Sequence, residues 1–407
     1  SQLLPLMITS LLGLALLPLT DVLPPGEVYS LFGNPAIFFI LGAFILAAGA
    51  VRTGLSEHLA LYFLDRVGLG PRRLLLAMLM LPAAMAFVMP EHVVVAVMLP
   101  IVWEVVRCLG LKGGDRYAQS LFLALAWGAV IGGVATLLGG ARGPLALGLL
   151  QEITGQSFTF VQWSKASLPL VLPLLLVAAA LLLMVTPFTG LEISAARSRI
   201  DRRRLEVGVL GSSGWMMGVL LGSTVLAWIV LGSEQGLASI ALIAVVLMFG
   251  LQLVSWKAVE PLVHWDVILM YGGAIALGKA LVVTGGGAWL AHQLIPDATS
   301  PFVLLLVLAL TTLLLTECIS NAATVAILLP VALPIALERG IDPVTTALAI
   351  GIVAGFAFIL PMGTPPNAMI YSTGMVRPAA MMRYGGVLSL SAMLLFILSA
   401  FYWVALV

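Results

Sequence analysis

Four short stretches set polar groups into otherwise apolar sequence. In 88-VMPEHVVVAVMLP-100 a carboxylate, Glu91, and an imidazole, His92, follow a proline; in 134-VATLLGGARGPLA-146 a single guanidinium, Arg142, follows paired glycines. The other two, 316-TECISNAAT-324 and 360-LPMGTPPN-367, supply the neutral side-chain oxygens of Ser320, Thr364 and Asn367. Each group has a defined use at membrane depth. An isolated charge there costs several kcal/mol, so a buried Glu91 or Arg142 demands a partner or an ion. Glu91 and His92 can both titrate near neutral pH once burial and a neighbouring charge shift them, which suits proton coupling. Neutral oxygens beside free backbone carbonyls suit a hard cation such as sodium, and helix amino termini favour an anion.

The composition puts these stretches in a bilayer. Of 407 residues, 61% are hydrophobic and 9% charged, with a mean hydropathy of +1.15, so a soluble domain could not keep its apolar surface from water. The net charge of +1 decides nothing, and no basic block interleaves with aromatics, which excludes a nucleic-acid surface. Cys108 and Cys318 lie in apolar context without metal-ligand spacing and read as packing residues. No HExxH helix, nucleophile elbow or partnered nucleophile is present, which argues against an enzyme. The start, SQLLPLMITSLLGLALLPL, lacks a basic n-region and a small-residue cleavage site and reads as a first span.

Apolar runs near the ~20-residue length of a spanning helix place spans at 3–20, 36–52, 118–150, 166–186, 212–232, 236–255, 266–283, 344–371 and 385–406. Two further stretches, 74–108 and 301–337, can enter and return but are broken midway by polar residues; they read as re-entrant hairpins. The strongly charged segment 192-EISAARSRIDRRRLE-206 belongs in the cytoplasm by the positive-inside rule. Four spans precede it, so the amino terminus is cytoplasmic as well, and the expected location is a bacterial inner membrane. Hairpin 74–108 then enters from the cytoplasm and hairpin 301–337 from outside, facing each other.

The halves also repeat. The segment 95-VAVMLPI-101 matches 325-VAILLPV-331, 49-GAVRTGLSEHLA-60 resembles 280-ALVVTGGGAWLA-291, and 134-VATLLGGARGPLA-146 matches 358-FILPMGTPPNAMI-370, in the same order. An odd number of spans separates the equivalent starting points, so the second copy is inverted, which is a transporter signature. Unwound backbone is tolerated in a bilayer only where it is buried in protein or lines a cavity, and there its free groups bind ions and substrates. The breaks therefore locate the site. Gly363 permits close backbone approach, and Pro365 and Pro366 withdraw two backbone donors.

At these residues, 317-ECISNAATVAILLP-330 followed by 360-LPMGTPPNAMIYSTG-374, the chain resembles the divalent anion/sodium symporters, the INDY-type citrate, dicarboxylate and sulfate transporters. The resemblance is close over 265–400 and one of arrangement in the first half. It implies a homodimer whose transport domain moves like an elevator against a scaffold, with one substrate held between two sodium sites. In that family each hairpin carries Ser-Asn-Thr and each opposing broken helix a Gly-Thr-Pro-Pro-Asn-like loop. Carried over, Ser320 and Asn321 match the motif while Ala322 replaces its threonine, and Gly363, Thr364, Pro365, Pro366 and Asn367 match the loop intact. The resemblance thus implies a sodium site at Ser320, Asn321, Gly363, Thr364 and Asn367, and substrate contacts from Ser320, Asn321 and Thr364; Glu91, His92 and Arg142 are further substrate-binding candidates, by their position at the corresponding tip and break of the first copy. The first copy departs from the pattern: Pro90, Glu91 and His92 stand where Ser-Asn-Thr is expected, and Gly139 to Gly143, with Arg142 among them, replace the loop.

The expected fold class is an all-α polytopic membrane protein with inverted-topology repeats, two re-entrant hairpins and two interrupted transmembrane helices. Residues 1–187 form the first repeat, with hairpin 74–108 and interrupted helix 118–150. A basic linker and connecting span occupy 188–235. The second repeat, 236–407, holds hairpin 301–337 and interrupted helix 344–371. If the family arrangement holds, Glu91 and Arg142 face each other, and three readings stand: Arg142 is a tethered cation replacing a sodium ion, Glu91 or His92 couples protons, or the pair merely fixes hairpin to helix. Glu317 reads as scaffold, Glu104 and Lys279 as interhelical partners, and His58, His264 and His292 as solvated. The functional expectation is a secondary transporter of a small divalent anion, dicarboxylate or sulfate. The unlike ends of its site slightly favour a small oxyanion or asymmetric carboxylate. The alternative is a sodium/proton antiporter using Glu91 without an organic anion. Expected partners are a small anionic substrate, sodium, lipid and a second copy, with no organic cofactor and no nucleic acid.

Overall fold

The computed structural model describes residues 5–67, 70–188, 194–287, 289, 293 and 300–399, which form helices and the turns between them, with no strand among them. In chain order the helices are α1 (Leu6–Leu19), α2 (Pro35–Arg52), α3 (Leu55–Val67), α4 (Pro71–Ala86), α5 (Glu91–Cys108), α6 (Arg116–Val134), α7 (Arg142–Thr154), α8 (Phe160–Val185), α9 (Ser194–Val207), α10 (Ser212–Val230), α11 (Leu237–Gly250), α12 (Trp265–Val283), α13 (Pro301–Cys318), α14 (Asn321–Glu338), α15 (Pro343–Val353), α16 (Pro365–Ser372) and α17 (Pro378–Leu398). Their starts are legible in the sequence. A proline in the first turn opens α2, α4, α13, α15, α16 and α17, and Asn34, Ser300, Asp342 and Thr364 cap four of these through their side chains; such caps satisfy donors the helix itself cannot.

Each stretch expected to be interrupted is two helices. Span 118–150 is α6 and α7 around a non-helical 135–141, and span 344–371 is α15 and α16 around 354–364. Hairpin 74–108 is α4 and α5 joined at 87–90, and hairpin 301–337 is α13 and α14 joined at Ile319 and Ser320. The two copies pack reciprocally. The first helix of each lies on the other copy, α1 against α12 and α11 against α2; the second hairpin arm of each lies on the other's post-break helix, α14 against α7 and α5 against α16.

The centre of the molecule is α6, buried from Tyr117 to Val134. It approaches α4 nearly backbone to backbone, since a Cβ at Gly132 would stand 2.7 Å from the Ala83 carbonyl carbon. Small residues at helix crossings are how membrane helices gain dispersion contact. The outer faces of α8, α10 and α17 are apolar, with Leu176, Val219 and Leu390 exposed, which suits hydrocarbon rather than water. Cys108 and Cys318 are free and exposed, a correction to their reading as packing residues: each is the last residue of its helix and points away from the core its buried neighbours join.

The basic segment is not a bare linker. It folds as α9, and its arginines bind neighbours: Arg203 to Glu57 at 2.7 Å, Arg199 to Glu104 at 3.1 Å, and Arg204 to Asp65. Lys279 pairs with Glu152 at 3.0 Å. Glu104 and Lys279 are thus interhelical partners, as expected. His292 lies outside the described residues.

Replacing Gly132 by Val should force α4 off α6 and cost about 1–3 kcal/mol or more; a lower unfolding temperature and loss of a monodisperse peak on size-exclusion chromatography would register it, whereas wild-type behaviour would refute the close crossing.

Candidate functional site

The first break is held by side chains that take its carbonyls one by one. Trp163 Nε1 donates to the Val134 carbonyl at 2.9 Å, Ser167 Oγ to that of Ala135 at 3.0 Å, the Glu91 backbone N–H to that of Gly139 at 2.9 Å, and the Tyr271 hydroxyl to that of Ala141. Thr136 reaches back to the tip of the first hairpin, donating to the Phe87 carbonyl at 2.8 Å. Pro90 offers α5 no side-chain cap, so the orphan N–H of Glu91 is satisfied from the break instead. Unwound backbone inside apolar surroundings requires this accounting.

Within this frame Arg142 Nη1 donates to Glu91 Oε2 at 3.1 Å, the two side chains being 2% and 5% exposed. Space for the pair comes from absent side chains. A Cβ at Gly133 would sit 2.7 Å from Glu91 Oε2, at Gly140 2.6 Å from Arg142 Nη1, and at Gly355, in the second break, 2.8 Å from Arg142 Cζ. The second copy adds a hydrogen bond. With the Asn321 amide oriented to suit its neighbours, its oxygen accepts from Arg142 Nη1 at 3.2 Å, and its nitrogen donates to the carbonyls of Ala354 at 3.0 Å and Gly363 at 3.1 Å. Arg142 Nε and Nη2 are buried and have no partner among the described residues.

The second break hangs on one carboxylate. Glu317 accepts from the backbone N–H groups of Phe358 and Ile359 at 2.9 Å and Leu360 at 3.0 Å, and from Ser389 Oγ at 3.1 Å. Four donors occupy it, so its role is to hold the segment. Thr364 is buried and caps α16 by accepting from the Asn367 N–H at 3.3 Å. Asn367 Nδ2 donates to the carbonyls of Ala357 at 3.0 Å and Leu360 at 3.3 Å, which leaves its Oδ1 buried without a hydrogen-bond donor among the described residues; Thr324 Oγ1 is likewise buried and unpartnered. A buried amide oxygen lacking a donor suits a hard cation.

A cavity of about 610 Å³ opens between the copies. Of the residues selected from sequence, Glu91, His92, Arg142, Ser320 and Asn321 line it. Gly363, Thr364 and Asn367 are buried and do not line it, Thr364 and Asn367 being engaged in holding α16 to the break. The cavity also brings in Phe44, His264 and Asp266, which sequence reasoning did not select. His264 read as solvated; its side chain is 42% exposed but into this cavity, with its ring 4.3 Å from that of His92 and its Nδ1 3.6 Å from Asp266 Oδ1. A second cavity of about 440 Å³ shares His92 and His264 with the first and runs toward Glu57, Glu104 and Arg203. The imidazoles stand between the two. The available signal was position: His264 immediately precedes α12, the counterpart of α2, which starts on a buried polar cap, Asn34.

Comparison with known proteins adds an independent line. A family model described as "Sodium:sulfate symporter transmembrane region" matches residues 1–407. The chain is 28% identical over 434 residues to the sodium-dependent dicarboxylate transporter SdcS of Staphylococcus saprophyticus, covering 99% of this chain and 83% of that protein. It is 26% identical over 430 residues to SdcS of Staphylococcus aureus, covering 99% and 82%. Among solved structures it is similar to the Alcanivorax borkumensis YdaH transporter, whose crystal structure is described as revealing an unusual topology, at 18% identity, a TM-score of 0.56, and 99% and 98% coverage. That likeness shows the fold alone.

Removing Glu91 alone leaves an uncompensated buried guanidinium, so Glu91→Gln should destabilise the protein by about 3–5 kcal/mol. Glu91→Gln combined with Arg142→Gln should recover part of that loss. Thermal unfolding of the three variants in one detergent measures the coupling, and strictly additive losses would mean that the pair does not interact.

Proposed function

The chain belongs to the sodium:sulfate symporter family, and from that premise we propose that it is a secondary transporter carrying a small divalent anion together with sodium. The family and the curated relatives are transporters, not enzymes. The relatives' names favour the dicarboxylate class over sulfate for this chain. The observation that carries the reading is Arg142, buried beside the central cavity with two nitrogens, Nε and Nη2, unpartnered among the described residues. A guanidinium is the preferred group for a carboxylate because its forked donors match two oxygens. The hydroxyl of Ser320, at the amino terminus of α14, completes an anion-binding wall, with Asn321 beside it orienting Arg142.

In the first copy Arg142 takes the place of a sodium ion. The carbonyls of Val134, Ala135, Gly139 and Ala141 are engaged by protein donors, and the fixed positive charge sits where a cation would otherwise balance the substrate. Glu91 neutralises Arg142 when no anion is bound and yields part of the guanidinium when one arrives. In the second copy Asn367 Oδ1, with the carbonyl-rich segment 354–364, holds the sodium ion. Residues 74–108 and 301–337 are re-entrant hairpins that enter from opposite faces, and the unit they form with α7 and α16 moves as an elevator within a homodimer. The amino terminus and α9 face the cytoplasm of a bacterial inner membrane, since most of the chain's 19 Lys and Arg residues then lie on that side. A sodium/proton antiporter would leave the open donors of Arg142 without a task.

Uptake of labelled succinate and sulfate into proteoliposomes under an inward sodium gradient tests this. Sodium-dependent uptake is expected to fall about 10–100-fold in Arg142→Gln, the loss of a charge-assisted contact; sodium-driven proton flux without any anion would instead establish the antiporter. The sodium dependence of uptake should have a Hill slope of about one, because only one cation site remains. A clearly steeper slope would show that Arg142 has not replaced a sodium ion.

A further inference from the structure

A second cationic recess lies away from the central cavity, where three spanning helices end. It has a volume of about 270 Å³ and is lined by Arg116 and Gln119 of α6, Val185 at the end of α8, and Arg377, Arg383 and Tyr384 at and just after the start of α17. None of the three arginines forms an ion pair with a carboxylate among the described residues, and no carboxylate lines the recess. The nearest acid in sequence, Asp115, uses Oδ2 to accept from the Lys112 N–H at 2.6 Å. Ser120 is also occupied, donating to the Arg116 carbonyl and accepting from Thr186, each at 2.8 Å.

The floor supplies an independent observation. Gln119 is 6% exposed, and its Nε2 has no hydrogen-bond partner among the described residues. A buried amide N–H group without an acceptor is costly, and native structures seldom leave one so. Around it stand three guanidinium groups and the amino termini of two long helices, α6 and α17, whose dipoles favour negative charge. An acceptor-only group with several oxygens and one or two negative charges satisfies all of these at once.

We propose that this recess binds a phosphate group, the chemistry shared by an anionic lipid headgroup and a free phosphate. Its level suits the lipid source, because the ends of membrane-spanning helices lie where headgroups lie. It is on the face toward which α8 runs into the arginine-bearing α9. The site is separate from the anion wall at Arg142, with which it shares no residue. A phosphate there bridges α6, which leads into the first break, and α17, the last helix of the second copy, so occupancy would restrain their relative movement.

The test uses the purified full chain in uncharged detergent, titrated with dioctanoyl phosphatidylglycerol or inorganic phosphate and followed by thermal shift. It is run on wild type, Arg377→Gln/Arg383→Gln, Gln119→Leu and Arg142→Gln. The exposed arginine pair can be replaced without disturbing the fold, so that variant should unfold near the wild-type temperature in the absence of ligand while its affinity falls about tenfold or more. Arg142→Gln should respond as wild type does. A response to phosphatidylglycerol that depends on the arginine pair identifies a lipid headgroup, and the same dependence with inorganic phosphate alone identifies a soluble phosphate. If neither probe binds, if the arginine pair makes no difference, or if the response is lost in Arg142→Gln instead, the proposal is overturned.

Discussion

A guanidinium and a carboxylate cannot be held away from water singly, and the centre of this molecule is organised around that constraint. Arg142 and Glu91 meet at 3.1 Å in a place that admits almost no solvent. Desolvating two charges costs more than an ordinary contact returns unless the geometry is good and further hydrogen bonds are made. Here Asn321 supplies one from the other copy, and glycines from both breaks leave room for the pair. The ion pair therefore bears on three elements: the first hairpin tip, the first break and the second hairpin tip.

The two copies solve the same backbone problem with different atoms. In the first, donors from α8, α12 and the hairpin tip take the exposed carbonyls of 134–141. In the second, the Glu317 carboxylate takes exposed N–H groups, and Asn367 bridges two carbonyls with its amide nitrogen. The difference has a chemical consequence. Protein donors spent on carbonyls leave little for a cation in the first copy, whereas an amide oxygen without a donor remains in the second. A single inverted fold thus carries one charged end and one neutral end.

Reciprocal packing makes the two ends meet. Each hairpin's second arm rests on the other copy's post-break helix, so the central cavity is lined by both copies. The His92 and His264 rings also come from different copies, and they stand where the central cavity adjoins the one that runs toward α9. Such a boundary, built from side chains rather than backbone, can change with small helix shifts.

The sequence by itself determined the membrane class, the helix starts and the breaks, because hydrocarbon thickness, proline and glycine act locally along the chain. It also identified the residues with chemistry to offer, since Glu91, Arg142, Ser320 and Asn321 are conspicuous in apolar runs. It named Glu317 as scaffold and Glu104 and Lys279 as partners. It did not identify Arg199, Arg203 and Arg204 as the straps of a helix, because a charged segment reads as solvated until its partners, Glu104, Glu57 and Asp65, are placed. Nor did it find His264 and Asp266 at the cavity, or show that Thr364 and Asn367 brace the break from behind. Those depend on which helices touch. Glu91 and Arg142 are 51 residues apart, and whether such groups meet is decided by packing that no local pattern encodes.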